Sequence, residues 1–205
     1  MKTCSACSQI FKRNSNIEID SLCPNLICNG KVLDIDDDIL ETIKQLNKKG
    51  YSTESCCSGH TWGGDLYILF DVNVRALPPV PKQFDFEIDS NERLRIYKRI
   101  PASAEIERLR ILNIATLDLL EWSLTIPTGK PILIQFDLIN CQDLLKFEKL
   151  TQNKIHFVNP QKFEDDGREF HVYNITVPPT SVIEMRREIE TFAANNNVGV
   201  FIDVN

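Results

Sequence analysis

Two cysteine pairs near the start of the chain restrict its folding more than any other feature. Cys4-Ser5-Ala6-Cys7 is followed, after fifteen residues, by Cys23-Pro24-Asn25-Leu26-Ile27-Cys28. Each pair fits a tight turn, so four thiolates can converge on one tetrahedral ion. The second pair has four intervening residues, within the usual spread of ligand spacings. Between the pairs, Ile17-Glu18-Ile19 alternates as a short strand does. Residues 1–33 therefore read as a small zinc ribbon with Cys4, Cys7, Cys23 and Cys28 as ligands. The segment holds too few apolar residues to fold alone. A structural zinc site supplies about 10–16 kcal/mol of apparent binding energy, enough to organise it. Four cysteine ligands leave no open coordination position, so the Zn2+ is expected to be structural.

The remaining cysteines do not suggest disulfides. Of seven in the chain, Cys56 and Cys57 are adjacent and Cys141 stands alone. With no secretory signal apparent, metal binding and free thiols are the expected states. No apolar run is long enough to span a membrane, and a cytoplasmic location is expected. The formal net charge is −6, which argues against duplex DNA as a partner but leaves room for local basic patches. Two such patches occur, at Lys44, Lys48 and Lys49 and at Arg93, Arg95, Lys98, Arg99, Arg108 and Arg110. Both read as solvated faces.

Residues 34–205 carry a mixed pattern, so the fold class is α+β: a zinc ribbon followed by an α/β domain. Asp34 and Asp36 offer caps for a helix built on Ile39, Leu40, Ile43 and Leu46 and ended by Gly50. Strands are expected at 51–57, 66–74, 84–88 and 94–100, the last two joined by the turn Asp89-Ser90-Asn91. The longest helix follows. Ser103 caps it, Ile106, Leu109, Leu112 and Leu120 help form its apolar face, and it ends before Ile126. A subdivision into 34–128 and 129–205 is possible. The second part reads as strand 132–139, helix 141–152, strands 155–158 and 170–177, a helix opened by a Ser181–Glu184 capping box, and strand 200–204. That βαββαβ order is ferredoxin-like.

The stretch from Tyr51 to Asp65 departs from a core pattern. Tyr51, Thr53, Ser55 and Cys57 would share one face of a regular strand, with Ser52, Glu54 and Cys56 on the other. Neither face is apolar, and Gly59, Gly63 and Gly64 crowd the loop that follows. Glycines allow close backbone approach, and successive N–H groups can cradle an anion. Ser55, Cys57, Ser58, Gly59, His60, Trp62 and Gly63 are therefore the candidate ligand-binding residues. A polar edge strand with a flexible hairpin is the plain structural alternative. Cys56 and Cys57 should point to opposite sides, one of them buried. His60 suits phosphate binding or proton transfer, and Trp62 suits base stacking; either could equally be structural. His156 and His171 fall on facing strands and are expected to be structural. No dinucleotide fingerprint occurs in the loop.

The runs Asp36-Asp37-Asp38-Ile39-Leu40, Leu46-Asn47 and Tyr51 through His60 resemble the tRNA wybutosine-synthesis methyltransferase family. That family carries an acidic helix start, an aromatic, a Ser/Thr-rich strand and a Ser-Cys-Ser-Gly-Arg signature. Pro131–Leu150 is more weakly similar. The resemblance covers about a third of the chain and implies an α/β fold, S-adenosylmethionine as methyl donor and a modified guanine in tRNA as acceptor. It implies a site at Ser55, Cys57, Ser58 and Gly59, with His60 where the family has arginine. Two functional expectations follow. One is a methyltransferase-like protein acting on a nucleotide or RNA base. The other is a non-catalytic binder of a nucleotide-like ligand at Ser55–Gly64, the ribbon stabilising it or contacting a partner.

Overall fold

The computed structural model describes the chain apart from residues 5–8, 13–14, 20, 26–27, 29–30, 61–63, 102–103, 139–159, 166–167 and 205. The chain is mixed α+β. It divides into two compact units, Met1–Thr128 and Gly129–Asn205. Every sheet pairing among the described strands is antiparallel.

The first unit opens with three short strands, β1 (Lys2–Cys4), β2 (Ile10–Phe11) and β3 (Val32–Asp34), in the spatial order β2-β1-β3. Cys4, Phe11, Cys23 and Val32 bury a small cluster of their own there. A 3-10 turn at Asp37–Ile39 leads into α1 (Leu40–Lys48). A four-stranded sheet follows, built from β4 (Thr53–Cys57), β5 (Leu66–Phe70), β6 (Asp85–Ile88) and β7 (Leu94–Lys98), ordered β4-β5-β7-β6. The last element of the unit is α2 (Glu105–Thr125).

The core lies between one face of this sheet and the two helices. Leu66, Ile68 and Phe70 of β5 and Leu94 and Ile96 of β7 alternate inward as half-buried strands do. They pack with Ile39, Ile43 and Leu46 at α1 and with Leu112, Ala115, Leu119 and Trp122 of α2. The face of α2 thus differs from the sequence expectation, for Ile106 is 82% and Leu109 41% exposed. Apolar residues are scattered around this helix, so several stripes were available, and contact with the sheet selects the one at 112, 115, 119 and 122. Its expected cap, Ser103, lies outside the described residues.

The expected caps at α1 are not made. Asp36 precedes the 3-10 turn without a side-chain capping bond, and its carboxylate turns instead to Ser58. Gly50 follows α1 with φ +86°, where a side chain would be strained. The regular alternation expected for 51–57 also breaks. β4 pairs Thr53 with Phe70 but Ser55 with Leu69, so Glu54 is accommodated in a bulge. Tyr51 and Thr53 are buried, Cys56 packs on the same core, and Ser55 and Cys57 take the opposite face. The core side of this strand is therefore Tyr51, Thr53 and Cys56. Asn47 makes that possible, because its Oδ1 accepts the Thr53 N–H at 2.9 Å and its hydroxyl at 3.2 Å.

The second unit comprises β8 (Lys130–Asp137), β9 (Gln161–Asp165), β10 (Arg168–Val177), α3 (Val182–Asn196) and β11 (Gly199–Val204). The sheet order is β11-β8-β10-β9. Ile132, Ile134 and Phe136 of β8 are fully buried. Phe136 meets Tyr173 and Phe192 edge to face, with ring centroids 5.9 and 5.8 Å away. Asn197 closes α3 in the left-handed conformation. Ser181 makes no capping bond, because it ends a 3-10 turn with helical backbone angles and its hydroxyl cannot serve as a cap. The expected helix 141–152, with Cys141, and the expected strand 155–158, with His156, lie outside the described residues. His171 is fully buried beside Glu169, 2.7 Å away.

Candidate functional site

At the N-terminus, the thiols of Cys4, Cys23 and Cys28 converge within 4.8 Å of one another. Strand β1 carries Cys4, and the turns before β3 carry the other two. Cys4 and Cys28 sulfurs are 3.4 Å apart, close to the edge of about 3.8 Å that a tetrahedral zinc–thiolate site requires. The three cysteines can hold a metal. The fourth expected ligand, Cys7, lies outside the described residues.

The second cluster forms where β4 ends. Gly59 takes φ +79°, which reverses the chain and brings His60 back toward Cys57, with the thiol sulfur 3.5 Å from the imidazole Nε2. Asp36 arrives from the segment after β3. Its Oδ2 accepts the Ser58 N–H at 2.9 Å and the Ser58 hydroxyl at 3.0 Å, and its carboxylate also reaches the Cys57 thiol. Asp36, Cys57 and His60 each offer one ligand atom, all within 4.8 Å, and each is partly exposed. Burial alone would raise the Asp36 carboxyl, but the two Ser58 bonds and nearby His60 outweigh it and hold the group below its ordinary value. Burial pushes the Cys57 thiol up, and Asp36 adds to the rise against a bond from the Gly59 N–H. Cys56, on the core side, is pushed up to about 12 by burial; it is an inert packing thiol.

A buried arginine holds this loop in place. Arg108 is 6% exposed, and its guanidinium donates to the carbonyls of Pro101 at 2.9 Å, His60 at 3.0 Å, Ile100 at 3.3 Å and Gly64 at 3.4 Å. It does not belong to the solvated face expected from its neighbours in sequence. Other members of that patch are also engaged: Arg93 pairs with Asp89 and Glu54, and Arg95 with Glu87.

The sheet face opposite the helices adds two tyrosines that were not singled out from sequence. Tyr67 of β5 pairs in register with Tyr97 of β7 and with Cys57 of β4. The Arg95 guanidinium lies 4.7 Å from the Tyr67 ring centre and 5.2 Å from that of Tyr97, and Arg99 lies 5.8 Å from the latter. Ser55 completes the face, its hydroxyl 3.3 Å from the Tyr67 hydroxyl. Two tyrosines on neighbouring strands thus share one arginine as a cation–π partner. The available signal was the alternation of Tyr67 with Leu66 and Ile68, and of Arg95 and Tyr97 with Ile96. Asp36 carried no such signal beyond its helix-cap position.

Of the expected ligand-binding residues, the structure therefore gathers Ser55, Cys57, Ser58, Gly59 and His60 at one end of the sheet. Trp62 and Gly63 lie outside the described residues. Ser58 does not present a free anion cradle, because its N–H is already bonded to a carboxylate. No described helix is long and apolar enough to cross a membrane. The chain matches no protein-family model and no curated relative.

Proposed function

We propose that this chain binds a nucleotide or RNA base and, following its resemblance to the wybutosine-synthesis methyltransferases, methylates it from S-adenosylmethionine. One observation carries the binding reading: Tyr67 and Tyr97 lie side by side beneath Arg95, in the row that ends at Cys57. Every base has a π face, and stacking on an aromatic side chain contributes about 1–3 kcal/mol per base. Arg95 adds a cation for the ring or the phosphate. In methyl transfer the sulfonium carbon–sulfur bond breaks as the acceptor–carbon bond forms, and the acceptor's proton leaves to solvent. Placing donor and acceptor in line is the protein's main contribution, and a platform beside the Cys57–His60 turn suits that task. In this reading Zn2+ occupies the first cluster with Cys7 as fourth ligand. The C-terminal unit is ferredoxin-like, a reading supported by its fourth-first-third-second strand order.

A second reading, non-catalytic binding of a nucleotide-like ligand, is favoured by the way the turn is spent on itself. Ser58 is bonded to Asp36 and His60 is held by Arg108, which makes the turn a fixed wall. Calorimetry with a guanine-containing oligoribonucleotide and with S-adenosylmethionine separates the two. Tyr67→Ala and Tyr97→Ala should each weaken oligonucleotide binding about tenfold or more. Unchanged affinity in both variants would remove the platform from the argument. Oligonucleotide binding without any uptake of the methyl donor would leave the non-catalytic reading.

A further inference from the structure

We propose that Asp36, Cys57 and His60 form a second metal site, separate from the N-terminal cysteines, which takes a first-row transition dication such as Zn2+ and leaves one coordination position open. The three ligand atoms converge within 4.8 Å of one another. The edge between sulfur and nitrogen fits the ion. Zinc–sulfur and zinc–nitrogen bonds of about 2.3 and 2.0–2.1 Å at a tetrahedral angle put sulfur and nitrogen about 3.5 Å apart. Cys57 Sγ and His60 Nε2 are 3.5 Å apart.

The donor set selects the metal. Calcium and magnesium take oxygen ligands, whereas one thiolate, one imidazole and one carboxylate suit zinc and its neighbours. Three protein ligands and a vacant fourth position are the pattern of a reactive zinc site, in contrast to the closed four-cysteine pattern at the N-terminus. All three residues are partly exposed, so an ion can enter.

The surroundings hold the ligands as outer-shell groups do in metal sites. Ser58 grips Asp36 through both its N–H and its hydroxyl. Arg108, buried, fixes the carbonyl of His60 from behind. Gly59 provides the reversal that lets residues 57 and 60 face one point. A Cys-His-Asp nucleophile relay is the competing arrangement. It requires thiol and carboxylate on opposite ring nitrogens of the histidine. Here the carboxylate reaches the thiol itself, so the three groups converge instead of forming a line.

The test is metal stoichiometry on the full chain, equilibrated with zinc alone, dialysed and measured by elemental mass spectrometry, with cobalt substitution as a second readout. His60→Ala, Cys57→Ser and Asp36→Asn should each hold one fewer metal ion per chain than the wild type. Cobalt-loaded Cys57→Ser should also lose part of the thiolate charge-transfer band. The N-terminal metal serves as the folding control, because a variant that retains it has kept the first segment. Asp36→Asn adds a second control, since the amide oxygen can still accept from Ser58. Equal stoichiometry in the wild type and all three variants overturns the proposal. Tyr67→Ala should leave the metal content unchanged, so failure of the stacking platform and failure of the metal site are read separately.

Discussion

Replacing Gly59 with alanine tests the turn on which the proposed metal site depends. Two costs can be worked out from its surroundings. At φ +79° a residue with a Cβ carries left-handed strain of about 1–2 kcal/mol. The added Cβ would also stand 2.5 Å from Leu112 Cδ2, against an ordinary carbon–carbon contact of about 3.5–4.0 Å. Leu112 is only 7% exposed and belongs to the main core, so it has little room to yield, and such overpacking costs about 1–3 kcal/mol. The sum is about 2–5 kcal/mol. Only the second cost involves Leu112, so a double-mutant cycle divides them. Leu112→Ala alone should cost about 2–5 kcal/mol. In the Gly59→Ala background it should cost about 1–3 kcal/mol less, because the overlap disappears. The assay is urea unfolding followed by tryptophan fluorescence. Both tryptophans, Trp62 and Trp122, fall in the first unit, so the signal reports the part being changed. A cycle additive within about 0.5 kcal/mol would show that a Cβ added at residue 59 does not crowd Leu112, and a Gly59→Ala variant as stable as wild type would show that it neither strains the turn nor crowds Leu112.

Three further outcomes are expected. Arg108→Met roughly keeps the volume but removes the guanidinium that donates to the Pro101 and His60 carbonyls; it should lose about 2–4 kcal/mol, read by urea unfolding, with faster amide exchange in the described residues flanking 61–63. The Asp89 carboxylate, which burial alone would raise, is held below its ordinary value by the Arg93 side chain and by the Arg93 and Asn91 N–H groups. Because the folded value is depressed, its stabilisation is present above about pH 4 and lost as pH falls through the lower folded value. Asp89→Asn should therefore be less stable at pH 7 and show a shallower loss of stability on acidification below pH 4, measured by unfolding across pH 2–7. Treatment with a strong chelator should release the first segment, whose own buried cluster among the described residues is the small group Cys4, Phe11, Cys23 and Val32. Protease cleavage within residues 1–33 should rise sharply, and unchanged cleavage would count against metal-dependent folding there.

Local chemistry made several elements readable along the chain. Apolar residues three and four apart announced α1, an apolar run announced β5, and Asp89-Ser90-Asn91 announced the turn between β6 and β7. The cysteine pairs announced a metal cluster, and Cys4, Cys23 and Cys28 do converge. The run Cys57-Ser58-Gly59-His60 stood out because hydroxyls, thiols and glycine are poor core material. Each of these signals lies within a few residues of itself, where backbone preference and side-chain period act directly.

What remained hidden depended on partners far away in sequence. Asp36 read as a helix cap, yet its oxygen is claimed by Ser58, twenty-two residues on. Arg108 read as one charge in a solvated run, yet burial places it behind the site, on carbonyls up to forty-eight residues away. The bulge at Glu54 moved Ser55 and Cys57 to the face opposite Tyr51 and Thr53, and no local pattern marks an extra residue that only the register with β5 defines. Spacing and residue type act locally, and they were enough to mark the N-terminal thiols and the polar, glycine-rich stretch after β4. The meeting of Asp36 and Arg108 with that stretch, and the face that Tyr67 and Tyr97 share beside it, came from the folded chain, because hydrogen bonds and strand register join groups that lie far apart in sequence.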